Sequence, residues 1–184
     1  MRALLQKRII LIVCTAAMLI AAVFAVRVTR TVLGNMKIIL PEWIEWANEN
    51  ISNDEVNVSI SNKKIEVNCS DGSKWSLTNK YKVQDALLYD VDNDFKDELL
   101  ILCWKRGKYG EHRPSWVTRD ELLWSQHVYI YEFTKDGIRP KWMASEIGVD
   151  VKDWYNEKDI QVLENLEDEK SYWKWISWGL ERVK

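Results

Sequence analysis

The sequence predicts an all-β domain preceded by one membrane-spanning helix, and three observations carry that prediction. Residues 9–26 form an unbroken apolar run bracketed by Arg2, Lys7 and Arg8 before it and Arg27 and Arg30 after it. From Asn53 onward apolar residues recur at every second position, the period of a strand with one buried face. Turn signals such as Asp71-Gly72 and Asp136-Gly137 divide that region into short segments, as antiparallel meanders require.

At 184 residues, 47% of them hydrophobic, the chain has room for one domain plus a targeting segment. Only seven glycines and three prolines argue against a low-complexity chain. A formal net charge of −2 with no basic tract points away from nucleic acid as a partner.

The elements follow in order. Residues 1–8 read as a short cytoplasmic tail. Residues 9–26, as a helix, reach about 27 Å, close to the hydrocarbon thickness of a bilayer. A buried core helix would show a polar face, and a cleaved signal peptide usually has a shorter apolar core. A signal anchor fits best, with membrane association through residues 9–26, the tail inside and the C-terminal domain extracytoplasmic. The expected location is therefore the cell membrane, single-pass. Residues 27–52 read as a linker with a short amphipathic helix, from Pro41 at its start and the spacing of Trp43, Ile44, Ala47 and Ile51. Trp43 and Trp46 suit either a membrane interface or the cap of a domain core.

Residues 53–184 are the all-β domain. Val56, Val58 and Ile60 alternate with polar neighbours, as do Ile65, Val67 and Cys69; Trp75 and Leu77 continue the meander. Further strands are expected over residues 83–89, 99–104, 127–133, 138–144, 159–164 and 172–183. The segment 99–104 is apolar on both faces, as a strand covered on both sides must be. A weak repeat accompanies them: Lys74-Trp75, Lys141-Trp142 and Lys174-Trp175 mark successive strand groups. Residues 83–88 correspond to 149–154, and the acidic loop after the first copy shrinks to 156–159 in the second. Such repeated meanders suit a small or partial β-propeller-like array, or a sandwich built from the same hairpins.

That acidic loop, Asp90-Val91-Asp92-Asn93-Asp94-Phe95-Lys96-Asp97-Glu98, sets carboxylates at alternate positions. They repel one another unless a positive charge lies among them, and oxygen ligands at that spacing suit a hard cation such as calcium. A helix–loop–helix calcium site is excluded: counting from Asp90, Phe95 and Ile101 stand where it needs Gly and a bidentate Glu. A solvated acidic turn between two strands is the alternative.

The stretch resembles the calcium loop of FG-GAP/VCBS repeats, Asp-x-Asp-x-Asp-Gly-x-x-(Asp/Glu)-Leu followed by an apolar strand. The resemblance places Asp90, Asp92, Asp94 and Glu98 on the ligand positions and Leu99 on the apolar position. It implies a structural calcium ion and a blade-like setting. Asn93 and Phe95 depart from the pattern, standing where the family usually has Gly.

The longest interruption between strands, residues 104–126, gathers Arg106, Tyr109, His112, Arg113 and Trp116 as candidate ligand-binding residues. Guanidinium groups clamp carboxylates or phosphates, and flat rings stack sugars; the same groups can equally stack on one another and tie the loop down. No nucleophile elbow, zinc motif or phosphate loop is present in the sequence, so a catalytic role finds little support. Cys14 lies in the apolar run; Cys69 and Cys103, on expected strands, could pair outside the membrane but read better as free buried thiols, since one bridge is not a disulfide framework. The expected function is a membrane-anchored module that binds a ligand or an envelope protein or carbohydrate. The alternative is a cell-envelope carbohydrate-acting enzyme using the 104–126 loop as a subsite.

Overall fold

A computed structural model describes residues 2–107, 120–144 and 147–183, and of residues 2–11 and 13 the backbone only. The chain divides into two compact units, Met1–Glu42 and Trp43–Lys184. The first is built on one helix, α1 (Arg2–Asn35). Its stretch Cys14–Asn35 has a mean hydropathy of 1.8 and is not buried, with Met18, Leu19, Ile20 and Phe24 each more than 60% exposed. A helix this long and apolar fits a single-pass membrane anchor or a signal sequence. It runs well past the expected end at Val26, because residues 28–33 contain no helix breaker and an isolated Arg does not stop a helix. It closes where Lys37 turns left-handed (φ 56°), with Met36 N–H donating to Val32 O at 3.0 Å and Lys37 N–H to Gly34 O at 2.8 Å.

The second unit consists of three four-stranded antiparallel meanders in chain order. Sheet one is β1 (Glu49–Ser52), β2 (Val56–Ser61), β3 (Lys64–Cys69) and β4 (Lys74–Ser76). Sheet two is β5 (Lys82–Tyr89), β6 (Glu98–Lys105), β7 (Ser125–Thr134) and β8 (Gly137–Met143). Sheet three is β9 (Val151–Glu157), β10 (Ile160–Asn165), β11 (Lys170–Ile176) and β12 (Gly179–Arg182). The described strands thus form three separate four-stranded antiparallel sheets.

The sequence period explains the stacking. On β2 and β3, Val56, Val58, Ile60, Ile65 and Val67 are buried while Asn57, Glu66 and Asn68 face water. The buried set packs on Leu99, Ile101 and Cys103 of β6. The intervening residues of β6, Leu100 and Leu102, point the other way and pack with Val151, Trp154, Leu163 and Leu180 of sheet three. Sheet two is therefore covered on both faces, which is why β6 is buried from Glu98 through Trp104. Cys69 and Cys103 are free thiols, both at the first of these cores.

Sheets two and three are joined by a buried amide relay. A bulge between Val83 and Asp85 takes Gln84 out of the β5–β6 ladder. Gln84 Oε1 accepts from Trp104 Nε1 at 2.8 Å and from Gln126 Nε2 at 2.7 Å. The Gln126 amide then pairs with the backbone of Val151, donating to its carbonyl at 2.8 Å and accepting its N–H at 2.7 Å. At the other edge Gly179 leaves room for Trp142: a Cβ there would lie 2.3 Å from the indole Nε1.

Two sequence expectations are corrected. Residues 41–51 are not helical; Ile44 is buried, Ala47 N–H donates to Gln84 O at 2.8 Å, and Ile51 joins β1. Pairing with β5 outweighs the weak helical spacing of so short a segment. Trp43 sits edge-on to Trp104 with ring centroids 5.7 Å apart, capping the β-domain core. Residues 172–183 are not one strand but part of the hairpin β11–β12, turning at Ser177-Trp178.

Candidate functional site

The acidic loop joins β5 to β6 and organises itself through its own carboxylates. Asp90 Oδ1 accepts the N–H of Asp94 at 3.0 Å and Asp90 Oδ2 that of Phe95 at 2.8 Å. Asp94 Oδ1 accepts Lys96 N–H at 2.9 Å, and Asp97 accepts from Asn53 Nδ2 of sheet one at 2.8 Å. Such Asx bonds hold the backbone in tight turns. Asn93 and Phe95 both adopt positive φ, 61° and 68°, a backbone region that favours glycine.

The loop folds inward through Val91, which is buried in the second core, and Glu98, which is 2% exposed. Glu98 Oε2 accepts Val91 N–H at 3.0 Å. Asp90, Asp92 and Glu98 bring one carboxylate oxygen each within 4.8 Å of one another; Asp94 stands outside that group. Between two of them lies a positive charge from the chain itself. Lys141 of β8 donates from Nζ to Asp92 Oδ2 and to Glu98 Oε1, both at 2.6 Å. Burial pushes the Glu98 carboxyl above its ordinary range, and the bonds from Lys141 and Val91 only partly offset it. Burial opposes the charge of Lys141 too, but its two carboxylate partners outweigh it and raise its pKa. The ammonium also lies 5.5 Å from the Trp175 ring centroid in sheet three.

The cluster's counter-charge comes from within the chain: an ion coordinated by Asp92 Oδ2 and Glu98 Oε1 would need the space the ammonium holds, while each Asp90 oxygen accepts one backbone N–H. Asp92 Oδ1 is buried and has no hydrogen-bond partner among the described residues. Sequence reasoning missed Lys141, which lies on β8, two strands beyond β6, and comes within reach of the loop only once the sheet forms.

Beside the loop a groove of about 610 Å³ runs between sheets one and two, lined by Glu55, Asp71, Asp97, Glu132, Lys96 and Lys135 among others. Phe95, between the groove-lining residues Asp94 and Lys96, is 97% exposed. Trp178, 73% exposed, occupies the hairpin turn that follows Trp175.

Of the expected binding loop, Tyr109, His112, Arg113 and Trp116 lie outside the described residues. Arg106 is half-buried with its guanidinium 4.9 Å from the Trp124 ring centroid, the self-stacking arrangement. His127 is also settled: its ring nitrogens meet Ser125 Oγ at 2.8 Å and Ala144 O at 3.0 Å, and burial pushes its pKa down to about 4.

No protein-family model, curated protein or solved structure matches this chain.

Proposed function

We propose that the chain is a membrane-anchored binding module whose β-domain lies outside the cytoplasm and captures a protein or carbohydrate partner at its acidic-loop end. The observation that carries the reading is Phe95: a large apolar ring, 97% exposed, in a left-handed conformation that costs on the order of 1 kcal/mol. A residue that neither packs nor suits its backbone has no folding role, and such strain concentrates at contact sites. The FG-GAP/VCBS-like pattern of the loop agrees with an extracytoplasmic β-module. A second reading, an envelope carbohydrate-acting enzyme, draws on the groove, where the carboxylates of Glu55, Asp71, Asp97 and Glu132 face one space.

The test has two parts in intact cells. Added protease must cleave the β-domain while the N-terminus stays protected. A photo-crosslinking residue at position 95 must give a discrete adduct, while one at Asn57, exposed on the polar outer face of sheet one, gives none. Domain protection from protease, or identical adduct patterns at both positions, refutes the proposal. Phe95→Gly should raise the melting temperature while removing the adduct formed from position 96.

A further inference from the structure

We infer that Lys141 is a built-in replacement for the metal ion that a carboxylate loop of this pattern would otherwise need, so that the loop is held by the chain itself and is independent of calcium. The argument starts from charge. Asp90, Asp92 and Glu98 converge within 4.8 Å, and Glu98 is almost fully buried, so the group requires a cation. The chain supplies one at 2.6 Å from two of the three carboxylates, with the lysine side chain only 15% exposed. A flexible stem delivers that ammonium from β8, at the far edge of sheet two from β5. The lysine therefore joins the loop, β6 and β8 through one charge, and Trp175 of sheet three lies beside it. A bound ion would tie together only the residues of the loop; Lys141 ties the loop to the rest of the array. The inference does not depend on the binding role proposed above.

Thermal unfolding of the full-length chain in non-ionic detergent, with EDTA or with millimolar calcium chloride, provides the test. The wild type should melt at the same temperature in both, and Lys141→Arg, which keeps the charge, should stay insensitive as well. Lys141→Met should melt several degrees lower in EDTA and recover part of the loss in calcium, since the freed carboxylates then lack a counter-charge. If Lys141→Met is unfolded in EDTA, folding on calcium addition counts as the same result. A calcium-dependent rise in the wild type overturns the inference, because the ion would then displace the ammonium. So does a Lys141→Met chain as stable as wild type in EDTA. Asp92→Asn, which leaves the Glu98–Lys141 pair in place, gives a folded reference that must also ignore calcium.

Discussion

Replacing Gln126 by Met tests whether sheets two and three are held by the amide relay or by apolar packing alone. Met matches the volume of Gln closely, so the change creates little cavity and its cost falls on hydrogen bonds. Three are lost: two donated by Nε2, to Gln84 and Val151 O, and one accepted from Val151 N–H. Val151 is fully buried, so its N–H is orphaned at about 1–3 kcal/mol. Its carbonyl keeps a longer bond from Gln84 Nε2 at 3.3 Å, and Gln84 Oε1 keeps Trp104, so those losses are about 0.5–1 kcal/mol each. The expected total is about 3 kcal/mol, or about 10 °C in melting temperature for a domain of this size. Chemical or thermal unfolding of the full-length chain reads it directly. Gln84→Met should cost a similar amount, and the double variant should be less destabilised than the sum by about 1 kcal/mol, because the two amides share a bond. A loss below about 1 kcal/mol for Gln126→Met, or strict additivity with Gln84→Met, would refute the claim that the relay joins the sheets.

Two further outcomes follow from individual residues. Gly179→Ala should destabilise by about 2 kcal/mol or more and quench or shift tryptophan fluorescence, because the new methyl meets the Trp142 ring well inside contact distance. Stability should also fall on acidification from about pH 6.5 towards pH 4 through His127, whose folded pKa of about 4 lies below its ordinary 6.5. In that window the unfolded chain binds the proton and the folded chain does not, so stability is fully present above pH 6.5 and lost as pH falls. The loss amounts to at most about 3 kcal/mol, and His127→Gln should flatten that part of the pH profile.

Much of this fold was legible in the sequence because its signals are local. Alternation at Val56, Val58 and Ile60 marks a one-faced strand, the Asp71-Gly72 pair marks a turn, and β6 reads as doubly covered from its unbroken apolar run. The weak repeat paired residues 83–88 with 149–154, which overlap β5 and β9, the first strands of sheets two and three, although β9 itself was not among the expected strands. The acidic loop, too, announced that a positive charge had to enter it. What the sequence could not say is where that charge comes from. Lys141 lies 43 residues from Glu98 in the chain, and only the β7–β8 hairpin swings it back to within 2.6 Å. The same holds for Gln126, which reads as an ordinary polar strand residue until the third sheet places Val151 beside it. Segment 41–51 carries the lesson in reverse: its apolar spacing suits a short helix, but an isolated turn or two is marginal, and burial of Ile44 together with the bond from Ala47 N–H to Gln84 O of β5 decides its shape. Periodicity determines which face of an element is apolar; which partner covers that face, and which distant charge neutralises a carboxylate, depends on contacts that exist only once the three sheets have packed.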